Sequence, residues 1–271
     1  MFKRIALALS AAALAFAAGP TLADTLQSIK DRGKLVAGIK NDYRPRGFID
    51  SNGNIVGLEI DLVNDLAERL GVGVELVPVV ASNRMEFLQQ GRIDIIVATM
   101  GDTAQRREVV GMIEPNYYAG GTNVLAAKSA ELGAWDDLRG KDVCAIQGAY
   151  YNRRVSQEYA PNLVAFAGIP EATAALANGN CVAFLYDNTW IESQLASDPQ
   201  WADYEMPLET EDLQSWAVAV SLDDLNGPWG DFVRDAATDW HASGKLIELN
   251  RKWEIKDNPF LMEMHEKLKG G

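Results

Sequence analysis

Histidine is nearly missing from this chain of 271 residues: there are two, His241 and His265. Neither lies beside a G-x-S-x-G turn, which the sequence lacks. Glu266 follows His265, but no second histidine completes the H-E-x-x-H pattern of a zinc helix. Catalysis by a common secreted hydrolase is therefore not expected, nor is a metal or a cofactor. "GVGVEL" (71–76) resembles half of a dinucleotide fingerprint, yet it leads into a strand instead of opening a helix, and "GKD" (140–142) is no P-loop. Positive charge is also short: 25 Lys and Arg stand against 38 Asp and Glu, a net −13. Nucleic acid and anionic membranes need a basic surface, so neither is an expected partner. There is no low-complexity linker, and only one long apolar run.

That run stands at the N-terminus. Lys3 and Arg4 precede an apolar stretch from Ile5 to about Ala18, and "TLA" closes it at Ala23. This order reads as a secretory signal peptide, too short for a membrane span and followed by no stop-transfer signal. Cleavage is expected near Ala23, with no cysteine there to carry a lipid. Residues 1–23 hold two basic and no acidic residues, so their loss leaves 248 residues with a net charge of −15. That length suits two lobes of ordinary size or one large domain. Export makes the compartment oxidising, and the two cysteines, Cys144 and Cys181, suggest one disulfide.

Short apolar runs alternate with helical patterns. Strands are expected over 34–40, 74–80, 93–99, 122–128, 142–148, 162–167, 181–187 and 216–221. They are rich in Val, Ile and Ala, and several are apolar on both faces, which favours parallel strands covered by helices. Between them, "LEIDLVNDLAERL" places Ile60, Leu62, Val63, Leu66, Ala67 and Leu70 at helical spacing, stopped by Gly71. Asn83 with Glu86, and Asp102 with Gln105, have capping-box spacing. Pro170 and Gly179 bracket a further helix, and 225–253 reads as two helices parted by Gly244. Strand and helix alternate twice, over about 34–99 and 142–187, so the fold class is α/β with two lobes.

In open α/β sheets, ligands bind at the C-terminal ends of strands. The loops there are "KNDYRPRGF", "ATMGDTAQR", "QGAYYNR" and "YDNTW". "TMGDTAQR" combines the flexible Gly101, a helix N-terminus and Arg106, an arrangement suited to a carboxylate. A surface Arg106 paired with Glu108 is the plain alternative.

The stretch "GLEIDLVNDLAERLG" (57–71), with Gly57, Glu59 and Asp61 interleaved among apolar residues, resembles the signature of family 3 bacterial extracellular solute-binding proteins. These are periplasmic receptors of polar amino acid ABC importers. "GRIDIIVATMGDTAQRREVVGMIEPNYY" (91–118), "LRGKDVCAIQGAYY" (138–151) and "ASGKLIELNRKW" (242–253) are similar to further family segments. The resemblance implies a type II periplasmic-binding-protein-like fold: lobe 1 from 24–121 plus 215–271, lobe 2 from 122–214, joined by two crossover segments. It implies a soluble, monomeric periplasmic chain that delivers its ligand to a membrane permease complex. In such a lobe the strands bearing Cys144 and Cys181 would be neighbours, close enough for a disulfide.

By the same resemblance, Arg106 clamps the ligand α-carboxylate, and Thr99 and Gly101 add hydroxyl and backbone donors. Gly101 stands where Ser or Thr is common, so only its N–H would serve. Gly148, Ala149 and Tyr150 match a backbone-donor loop at a helix start, with Tyr150 in place of a small hydroxyl residue. Asp187 matches the carboxylate that takes the ligand ammonium, and Tyr43 an aromatic that packs on the ligand. A second aromatic wall is missing near Ala81. Lys40 stands where receptors for basic amino acids often carry an acid, and Arg84 lies on a loop facing the same cleft. Together they point to an acidic ligand, glutamate or aspartate. A neutral polar amino acid is the first alternative. A dehydratase-like enzyme or a signalling module on the same scaffold comes after it.

Overall fold

A computed structural model describes residues 24–270; the expected signal peptide, 1–23, lies outside the described residues. No helix among the described residues is long and apolar enough to cross a membrane. Two sheets organise the chain. The first has five strands in the order Gly73–Pro78, Lys34–Ile39, Ile95–Val97, Ala219–Val220, Gly111–Met112. The second orders Asn162–Phe166, Asp142–Ile146, Ala183–Asp187, Tyr118–Ala127 and Tyr204–Glu205, with Glu211–Trp216 also paired to Tyr118–Ala127.

The central strands of each sheet are parallel, as their two-faced apolar runs led us to expect. The sheets are nevertheless mixed. Tyr118–Ala127 runs antiparallel to Ala183–Asp187 and to Glu211–Trp216, and Ala219–Val220 is antiparallel to both its neighbours. Each sheet thus contains a strand delivered by a crossover from the other half. The strand expected over 216–221 is two pieces: Trp216 ends a strand of the second sheet, and Ala219–Val220 belongs to the first. The boundaries drawn at 121/122 and 214/215 fall inside this crossing pair. Stacked rings of Tyr118 and Trp216, 5.4 Å apart, brace it, with the Arg46 guanidinium 3.7 Å from the Tyr118 ring centre.

The signature stretch is a 13-residue helix, Leu58–Leu70, and its polar residues have separate duties. Gly57 has φ of +141°, and a Cβ there would lie 2.1 Å from the Arg46 carbonyl oxygen, so only glycine fits. Leu58, Ile60, Leu62, Val63, Leu66 and Ala67 bury the apolar face. Asp61 accepts hydrogen bonds from Trp253 Nε1 at 2.7 Å and Lys252 Nζ at 2.8 Å. Asp65 accepts from Trp240 Nε1 at 2.6 Å and from Arg69 at 2.7 Å, so the helix binds the C-terminal helices Pro228–Ala242 and Lys245–Lys252 to the first sheet.

Neither expected capping box forms. Asn83 uses its Oδ1 on the Val80 N–H and caps nothing in the helix Arg84–Gln89. The helix Ala104–Arg107 is capped by Thr103, while Asp102 is taken by Arg107. In the second sheet, Phe184 lies beside Cys144, and Cys144 and Cys181 are joined as a disulfide with Cα atoms 5.6 Å apart.

Candidate functional site

A narrow cleft between the sheets is lined by Lys40, Ala81, Arg84, Thr99 and Arg106 on one side. Ile146, Ala149, Tyr150, Tyr151, Tyr186 and Asp187 line the other. Seven of the ten expected ligand residues therefore converge there. The strand ends deliver them: Lys40 follows Lys34–Ile39, Thr99 follows Ile95–Val97, Ile146 and Asp187 end their own strands.

The first-sheet side is cationic. Arg106 is buried; it donates from Nη1 to the Gly101 carbonyl at 2.8 Å and from Nη2 to the Gly148 carbonyl at 3.1 Å. It is not the surface residue of the plain alternative, and it makes no ion pair with Glu108. Burial, and then the charge of Arg84, push its pKa down to about 9. Arg84 is buried too. It donates from Nη1 to the Ala98 carbonyl, its Nε has no hydrogen-bond partner among the described residues, and burial lowers its pKa. Lys40 Nζ lies 2.8 Å from Asp42 Oδ1, and the other oxygen of Asp42 accepts from the Ile169 N–H at 3.1 Å, linking the two halves.

The opposite side offers one acid. Asp187 ends its strand and starts the helix Asn188–Ser197 without capping it. Burial raises its pKa to about 6, against the lowering effects of Tyr43, Arg46, Arg84 and Lys40.

Two expected contacts differ. Tyr43 is wholly buried behind the wall, 5.6 Å from the Tyr186 ring and 6.4 Å from that of Trp216, and does not line the cleft. The carbonyls of Gly101 and Gly148 accept from Arg106, and their N–H groups are not used in those contacts. The Ala149 N–H is spent on the Ile146 carbonyl at 3.2 Å in a tight turn. Gly101 and Tyr150 explain each other: a Cβ at 101 would lie 3.1 Å from Tyr150 Cδ1, so the tyrosine ring fills the space a serine would use. Tyr150 is held there by its hydroxyl, which donates to the Asp212 carbonyl at 3.0 Å.

Sequence reasoning missed Ile146, Tyr151 and Tyr186. Tyr151 lies inside the loop "QGAYYNR" already singled out, and Tyr186 immediately precedes Asp187, so a strand-end rule that weighed each residue of the loop and the last of the strand would have found both.

Two mixed sheets, joined by an antiparallel crossing pair and facing a cleft of buried charges, define the two-lobed type II architecture of solute-binding proteins. The chain belongs to the bacterial extracellular solute-binding proteins, family 3, whose profile matches residues 35–256. It is similar to the ABC transporter glutamine-binding protein GlnH of Bacillus subtilis, 28% identical, covering 87% of this chain and 86% of that protein. It is also similar to the L-glutamate/L-aspartate-binding protein of Pseudomonas aeruginosa, 24% identical over 90% of this chain and 86% of that one. Among solved structures, holo ArgBP from T. maritima superposes with a TM-score of 0.74 at 27% identity, covering 84% of this chain and 99% of that chain.

Proposed function

We propose that this protein is a periplasmic receptor that captures an acidic amino acid, glutamate or aspartate, and presents it to an ABC transporter permease. The observation that carries the choice of ligand is the charge left over in the cleft. Lys40 is matched by Asp42, and buried Glu59 stands near Arg46. An amino acid's α-carboxylate would neutralise Arg106, and its α-ammonium would neutralise Asp187. Arg84 then remains, buried with a backbone carbonyl as its only hydrogen-bond partner among the described residues. A buried charge needs a counter-charge, and a side-chain carboxylate supplies it. The relatives do not decide the matter, since their names cover glutamine, glutamate with aspartate, and arginine.

In this reading lobe 1 comprises 24–121 plus 215–271 and lobe 2 comprises 122–214. Lobe 1 receives the ligand through Arg106, Arg84 and Thr99, and lobe 2 closes with Asp187 and the 148–150 loop. The chain acts as a monomer and performs no catalysis, and residues 1–23 direct its export. The test is a thermal-shift screen of refolded protein against the common amino acids and small organic acids. A ligand at 100 times its dissociation constant adds about 2.7 kcal/mol, which is several degrees at this size. A shift confined to glutamate or aspartate supports the proposal. A shift with neutral amino acids alone removes the role given to Arg84, and turnover of a bound acid would replace the receptor with an enzyme.

A further inference from the structure

Glu59 is wholly buried and does not line the cleft, yet it stands in the most distinctive stretch of the sequence. Its Oε1 accepts from the Thr99 N–H at 2.9 Å and from the Tyr117 hydroxyl, whose oxygen also lies 3.2 Å from the same N–H. Thr99 has φ of +47°, a left-handed conformation that a β-branched residue adopts only under constraint. Without Glu59 and Tyr117 its N–H would be a buried donor with no partner. The neighbouring groups are fixed as well. The Ala98 carbonyl is held by Arg84, the Met100 carbonyl by the Ala217 N–H at 3.0 Å, and the Gly101 carbonyl by Arg106 at 2.8 Å. Thr99 is the one strained link in this row.

We propose that Glu59 is a positioning residue. Its carboxylate acceptor holds Thr99 left-handed, and so fixes the Ala98–Gly101 loop that orients Arg84 and Arg106 for the ligand. Gly57 serves the same end: it lets the helix start against the 44–46 turn, where the Glu59 N–H donates to the Arg46 carbonyl at 2.9 Å. The proposal rests on the reading of the cleft as an amino acid site.

The test compares E59Q, which keeps an acceptor oxygen, with E59M, which keeps only the length. Titration with L-glutamate is paired with backbone ¹³C shifts of Thr99, which report its conformation without ligand. In E59M the Thr99 N–H keeps only the longer contact with the Tyr117 hydroxyl at 3.2 Å, the Thr99 shifts leave the left-handed range and affinity falls about tenfold or more, the cost of releasing the strained loop. In E59Q both stay near wild type, although the fold loses the charge that Glu59 sets against Arg46. In a T99G background, where glycine accepts the left-handed conformation freely, E59M costs little. If E59M fails to fold, the E59M/T99G double variant must recover folding. Unchanged Thr99 shifts in E59M, equal losses in E59Q and E59M, or a double variant that stays unfolded each overturn the role of Glu59. Wild-type protein that binds no amino acid overturns the cleft reading instead, independently of the Thr99 shifts.

Discussion

The two sides of the cleft are built differently. The first-sheet side holds three buried cations, and nearly every group that carries or orients them is tied by a hydrogen bond to backbone or to a buried acid. The second-sheet side holds one acid, three tyrosines and a short turn, and its sheet is tied covalently by the disulfide. In the proposed receptor, anion recognition thus falls where polar tethers are dense and the loop geometry is fixed in advance. The closing side contributes one charge and shape. A rigid cationic half can take a carboxylate first, and the acid arriving from the other half completes the match.

Breaking the first side should have the largest effect on binding. Arg106→Ala is expected to weaken ligand binding by about 2–5 kcal/mol, the cost of removing one member of a buried charge pair. Calorimetric titration measures this, and the melting temperature should change far less. Breaking the second side should do the reverse. The double substitution C144S/C181S opens a 37-residue loop and is expected to cost up to about 4 kcal/mol of stability. Ligand affinity should hold within a few-fold, because the disulfide lies away from the cleft lining.

Asp187 sharpens the contrast, because its side works against its own stability. Its folded-state pKa, about 6, stands above the ordinary value of 3.8. Between these values the folded protein binds more protons than the unfolded one, so stability is lost as pH rises through that window. Asp187→Asn should therefore stabilise ligand-free protein at pH 7 by on the order of 2 kcal/mol while abolishing binding. Wild-type affinity should fall as pH drops below about 6, because a neutral Asp187 no longer meets an ammonium. Denaturant melts and titrations at pH 5 and 7 check both statements. Tyr150→Phe should have the smallest effect, about 1 kcal/mol for one lost hydrogen bond, read as a modest affinity loss.

Much of this arrangement was legible in the sequence. Strand ends identified the loops that carry Lys40, Thr99, Arg106 and Asp187, because parallel strands advertise themselves as two-faced apolar runs, and the family resemblance picked those residues out of the loops. Asn83 and Asp102 misled, since capping spacing says nothing about a nearer or stronger partner: Val80 in one case, Arg107 in the other. The break at Ala217–Val218 was invisible because both pieces are buried and apolar, and only pairing with different sheets divides them. Tyr43 shows the limit of positional matching. A residue at the right place in the chain turned its ring into a cluster with Tyr186 and Trp216, behind the wall it was expected to form. The coupling of Gly101 with Tyr150, and of Glu59 with Thr99, joins residues 49 and 40 positions apart, and no local pattern records it.

The central claim is that the uncompensated charge of Arg84 selects an acidic side chain. The most direct test titrates glutamate and glutamine, which differ by that charge alone, into wild-type protein and into Arg84→Gln. The account predicts that wild-type protein prefers glutamate and that the substitution erases or reverses the preference. Equal or tighter binding of glutamine to wild-type protein, or a glutamate preference that survives the loss of Arg84, would contradict it.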